Sequence, residues 1–90
     1  MQEEQIIAGL LAKDRKTTEY LYEKYSRPLY AVVCREISDQ ELAEEAFYIS
    51  FIKITRTIES YDLSKGHFYA WMAGICRISA IEMKNSKEYS

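Results

Sequence analysis

Between Tyr61 and Lys84 the chain gathers aromatic rings and cations: Tyr61, Lys65, Tyr69, Arg77 and Lys84, with Ser64, Phe68 and Trp71 among them. Rings offer faces for unstacked bases, and lysine and arginine offer partners for phosphate, so this stretch suits single-stranded nucleic acid. Upstream, Glu41 and Glu45 share a helical sector with Tyr48, Ile49 and Ile52. An apolar strip rimmed by carboxylates suits a basic protein partner instead. Catalytic chemistry has little to work with. His67 is the sole histidine, no Ser/His/Asp or Cys/His order stands out, and no Glu-x-x-His pair exists to build a di-iron centre. Cys34 and Cys76 lack metal-type spacing and read as buried small apolar residues. Glycine-rich phosphate loops are absent, so no enzyme, cofactor or metal is expected.

The elements that must position these residues are helices. Three glycines and one proline in 90 residues are too few turn formers for a sandwich or barrel, and the 48% hydrophobic content is needed to build a core at this length. One all-α domain over residues 1–90 is expected, a compact bundle of three to four helices. Charge is nearly balanced, 12 basic against 14 acidic side chains, which excludes a polybasic DNA-coating protein. No charge-free run approaches the roughly 20 residues that span a bilayer, and no signal peptide opens the chain, so the reading is cytoplasmic with no membrane contact.

Periodicity places the helices at about 3–12, 15–37, 39–59 and 67–85, with a polar tail over 86–90. Asp14 caps the second, in which Pro28 predicts a kink or fresh start. Ser38-Asp39-Gln40-Glu41 reads as a capping box for the third, with Glu41 reaching back. At 100° per residue, Leu42, Ala43, Ala46, Phe47, Ser50, Phe51, Ile54 and Ile58 form its core stripe, leaving Tyr48, Ile49 and Ile52 outward. Residues 60–66 form a loop. In the fourth helix Phe68, Trp71, Met72, Ile75, Ser79 and Met83 form the core stripe, while Tyr69, Arg77, Lys84 and Lys87 lie opposite, separated by Ala73 and Ala80, whose small size lets another backbone come close. His67 starts that helix.

The segments Leu21-Tyr22-Glu23-Lys24-Tyr25, Glu41-Leu42-Ala43-Glu44-Glu45, Ser60-Tyr61-Asp62-Leu63-Ser64-Lys65-Gly66 and Trp71-Met72-Ala73-Gly74-Ile75-Cys76-Arg77, in this order, resemble region 2 of bacterial extracytoplasmic-function RNA polymerase sigma factors. The resemblance covers nearly the whole chain. It implies a non-enzymatic initiation module that docks on the β′ clamp helices of core RNA polymerase and opens the minus-ten promoter element. Clamp binding then falls to Glu41, Glu45, Tyr48, Ile49 and Ile52 on the third helix. Capture of a flipped base of the non-template strand of promoter DNA, with support for strand opening, falls to Tyr61, Ser64, Lys65, Phe68, Tyr69, Trp71, Arg77 and Lys84. Phe68 and Trp71 also sit in the apolar stripe, so a packing role stands beside the strand-opening one, and Tyr61 could equally close the end of the bundle.

Tyr48 and Ile49 replace a usual Gln and acid, and Ile78 and Asn85 replace a usual Asn and Arg. A second reading follows from these departures: a helical protein-interaction module or dimer that keeps the fold without promoter recognition. Two further partners fit the family's pattern, an anti-sigma factor and a region 4 domain. The latter is either a separate subunit or the continuation from which these residues are excised.

Overall fold

The computed structural model describes residues 1–61 and 66–88, with side chains through 86. Four α-helices and one short 3-10 turn follow in order: α1 (Glu3–Leu11), α2 (Arg15–Glu36), α3 (Gln40–Arg56), the 3-10 turn Ile58–Ser60, and α4 (Phe68–Glu88). No strand occurs among the described residues. The fold is all-α, as the sparse glycine and proline content requires. No helix among the described residues is long and apolar enough to cross a membrane.

Side-chain caps set the helix starts. Asp14 accepts from the Thr17 amide at 3.1 Å and the Thr17 hydroxyl at 2.6 Å, and these hydrogen bonds hold its carboxyl below the ordinary range. At α3 the cap is Asp39, which accepts from the Leu42 amide at 3.2 Å. Glu41 therefore falls one position short of the place from which a capping box is closed, and it points to solvent instead. α2 runs unbroken through Pro28, so no fresh start occurs there. Pro28 is exposed, so the helical carbonyl that loses its N–H partner there lies on the side next to water.

The third helix stops at Arg56 rather than near Glu59. Thr57 caps it and turns its hydroxyl back to the Lys53 carbonyl at 2.6 Å, while Ser60 does the same to Thr57 at 2.7 Å. Such local hydrogen bonds offer the backbone an alternative to helix continuation. The 3-10 turn that results keeps Ile58 buried and packs it toward α1.

The core forms where α2, α3 and α4 meet. α3 contributes Ala43, Ala46, Ser50 and Ile54, and α4 contributes Phe68, Met72, Cys76 and Ala80. Most of these are small, so the helices approach closely. Ser50 satisfies its hydroxyl on the Ala46 carbonyl at 2.7 Å. Burial pushes the Cys76 thiol up to about 11, partly offset by a hydrogen bond with Ser50, which keeps it in the unreactive thiol form. Ala80, expected away from the core, is fully buried: it is one of the small positions that admit a neighbouring helix. Cys34, expected inside, is exposed.

α1 buries Ile6 and Leu10 in the core and approaches α2 closely at Gly9. A Cβ built on Gly9 would lie 2.6 Å from Thr17 Cγ2 and 2.7 Å from Thr17 Cβ, closer than carbon atoms tolerate. Gly9→Ala is therefore expected to push α1 off α2 and destabilise the domain by about 1–3 kcal/mol. A urea midpoint equal to that of the unsubstituted chain would contradict this.

Candidate protein and nucleic-acid interfaces

The outward face of α3 is assembled by helical spacing alone. Positions 41, 45, 48, 49 and 52 fall within one sector about 100° wide at 100° per residue. Glu41 and Glu45 are exposed, and Tyr48 is 68% exposed. Ile49 and Ile52 are half-buried, yet neither belongs to the apolar core nor packs against it. The strip expected from the sequence is thus present as one surface.

The aromatic end of α4 divides differently. Tyr61 lies 5.1 Å from Trp71 and 5.4 Å from Phe68, ring centre to ring centre, and Phe68 lies 6.2 Å from Trp71 at a near-parallel angle. The Tyr61 hydroxyl donates to the Gly66 carbonyl at 3.0 Å, holding the ring across the start of α4. Phe68, however, is completely buried and meets Tyr25 edge-on at 6.2 Å. This corrects its assignment as a DNA contact. Its ring is the floor on which Tyr61 and Trp71 rest, because the first buried position of α4 points straight into the seam with α2. Trp71 is half-buried and serves packing and surface together.

Tyr69, Arg77 and Lys84 occupy the other flank of α4, toward α2. Tyr69 stacks on Tyr25 at 6.2 Å, and the Arg77 guanidinium stands 3.7 Å from the Glu36 carboxylate at the end of α2. Arg77 is 69% exposed while Glu36 is only 28% exposed, and at 3.7 Å the contact is loose, leaving Arg77 able to exchange Glu36 for a phosphate. Lys84 is exposed with no ion pair among the described residues. On the α3 side, Lys53 approaches Glu82 at 3.7 Å and Ser79 at 3.3 Å. The expected nucleic-acid set is therefore split over two flanks of α4. Of that set, Ser64 and Lys65 lie outside the described residues, as does the side chain of Lys87.

One surface was missed from the sequence. Phe47 and Phe51, expected in the core, are half-buried and line an open groove of about 570 Å³ with Tyr22, Tyr30 and Tyr48, flanked by Arg27 and Glu44. Tyr22 meets Phe47 at 6.1 Å and Phe51 edge-on at 5.5 Å, and Tyr30 meets Phe47 edge-on at 5.9 Å. Half-burial raises the Tyr30 hydroxyl above its ordinary range, and a hydrogen bond with Cys34 adds to the rise. The small residues along the α3 seam explain the groove. When Ala43, Ala46 and Ser50 bring the helices together, large rings one position to the side are squeezed to the rim. The signal was legible in the four-residue spacing of Phe47 and Phe51 and the eight-residue spacing of Tyr22 and Tyr30.

Comparison with known proteins bears on what these surfaces serve. The family model Sigma-70 region 2 matches residues 21–88, which covers α2 from Leu21 onward, all of α3 and α4, and both surfaces above. No curated protein and no solved structure matches the chain. With three helices meeting in one core, an acid-rimmed strip on α3 and an aromatic platform at the head of α4, the chain belongs to the sigma-70 region 2 family, a non-enzymatic transcription-factor family whose membership implies a role in RNA polymerase binding and promoter melting.

Proposed function

We propose that this chain is an initiation module of the extracytoplasmic-function type, gripping the β′ clamp helices of core RNA polymerase through Glu41, Glu45, Tyr48, Ile49 and Ile52. The non-template strand of the minus-ten element is held at the Tyr61 end of α4. The observation that carries the reading is the unpartnered outer face of α3, where Tyr48 is 68% exposed beside two carboxylates while Ile49 and Ile52 take no part in the core. Clustered apolar groups rimmed by charge mark a binding surface.

At the other end, extruding a base costs a few kcal/mol of stacking, offset by about 1–3 kcal/mol of stacking on aromatic faces and by hydrogen bonds in the loop. Tyr61 and Trp71 supply the rings, Ser64 and Lys65 supply polar groups, and Tyr69, Arg77 and Lys84 hold the flanking strand. An anti-sigma factor would act by covering the α3 strip, and a region 4 domain, in the same chain or another, would supply the second promoter contact.

Lys65→Ala combined with Arg77→Ala tests the division of labour. Open-complex formation should fall about tenfold or more, as two lost phosphate contacts require, with core-polymerase affinity unchanged. Parallel loss of both activities would contradict it. The aromatic groove favours a second reading, a helical interaction module or dimer. Light scattering separates the two: a monomeric isolated chain supports the initiation module, and a dimer that persists at micromolar concentration supports the alternative.

A further inference from the structure

A second cleft, of about 370 Å³, opens between the α1–α2 connection and the end of α3. Lys13 and Thr18 line one wall, and Thr55, Arg56, Ile58 and Glu59 line the other. Both hydroxyls are committed: Thr18 Oγ1 donates to the Asp14 carbonyl and Thr55 Oγ1 to that of Ile52. The side-chain donors left at the cleft are the two cations. Lys13 and Arg56 are both exposed, and neither forms an ion pair among the described residues. Lys13 also holds a left-handed backbone, φ 59°, which a residue with a Cβ adopts only at a cost. Two cations lining one cleft, neither in an ion pair among the described residues, make an anion site. Glu59 on the same rim repels a polyanion, so the site suits one phosphodiester rather than a nucleoside triphosphate.

Its position indicates which phosphodiester. The 3-10 turn carries the chain from this cleft to the aromatic platform, since Tyr61 N donates to the Ile58 carbonyl at 3.1 Å and the Tyr61 ring rests on Trp71. A turn of that kind rises only about 6 Å over three residues. We infer that the Lys13–Arg56 cleft is a phosphodiester subsite for the single strand whose base is held at Tyr61 and Trp71. The inference rests on the proposed function for the identity of the strand. It adds contacts at the α1–α2 connection and the end of α3 that the aromatic-cationic stretch does not contain. Phosphate contacts of this kind position the strand without reading its sequence.

The test uses the isolated 90-residue chain and an eight-nucleotide thymidine oligomer, so it does not depend on polymerase. Amide NMR shifts on adding the oligomer should appear at Lys13, Thr18, Arg56 and Ile58. Lys13→Gln with Arg56→Gln should abolish those shifts and reduce the slope of log affinity against log salt by about 0.7, the contribution of the one phosphate of a single strand that the cleft neutralises. Glu59→Gln should tighten binding a few-fold. Inorganic phosphate, the second probe, should shift the same amides only at much higher concentration. Shifts confined to Tyr61, Trp71 and Arg77, or an unchanged slope in the double variant, would overturn the subsite while leaving the proposed function intact. Equal effects from inorganic phosphate and the oligomer would overturn the assignment to a strand. Failure of core-polymerase binding, measured separately, would strike the proposed function alone.

Discussion

Phe68→Ala is expected to cost about 3–5 kcal/mol, the range for emptying a fully buried phenylalanine site. The ring has no exposure and contacts Tyr25, Tyr61 and Trp71, so three elements lose packing at once. In a domain of this length each kcal/mol lowers the melting temperature by about 4–8 °C, so the fall should exceed about 12 °C. A conservative Phe68→Leu change should recover part of the loss. Calorimetry also decides between packing and DNA contact: a residue serving the strand directly would leave the melting temperature nearly unchanged when truncated, and Phe68 should not. The loss propagates to function, because Tyr61 and Trp71 no longer have a floor.

The second large effect is Ile52→Asp. The side chain is half-buried yet outside the core, so the substitution should change stability by less than about 1 kcal/mol. Against a basic-apolar partner surface it desolvates a new carboxylate in the middle of the strip, and truncations at such central positions typically cost about 2 kcal/mol or more of binding. Affinity for core polymerase should therefore fall at least about 30-fold with the circular dichroism spectrum unchanged. Retention of full affinity would remove Ile52 from the interface. Loss of helical signal would show instead that Ile52 belongs to the fold.

Much of this architecture was legible in the residues. Few turn formers, Asp14 ahead of α2 and the apolar stripe of α4 all point to helices that the structure contains. The strip of Tyr48, Ile49 and Ile52 follows from the 100° projection of α3. Three features were misread, each for a physical reason. Hydroxyls at Thr57 and Ser60 ended α3 early, a choice that propensity barely registers. Projection gives direction but not depth, so Phe47 and Phe51 fell inside the stripe although the small residues beside them leave the rings at the rim. For the same reason Ala80 read as an outward position, whereas Phe68 fell in the core stripe and drew its DNA role from the resemblance alone. Pairing across helices was also hidden. Nothing local shows that Arg77 meets Glu36 or that Tyr69 stacks on Tyr25, although the projection already sets Tyr69, Arg77 and Lys84 opposite Phe68 and Trp71.

In the proposed function opposite tasks sit on separate surfaces of an elongated bundle, about 40 Å by 25 Å by 18 Å, with protein gripped by α3 and nucleic acid held around the head of α4. A photo-crosslinking amino acid placed at position 48, and in a second preparation at position 61, tests it in the holoenzyme on promoter DNA. Position 48 should crosslink to the β′ subunit and position 61 to the non-template strand. Crosslinking of position 48 to DNA, or of position 61 to β′ in place of the strand, would contradict the account.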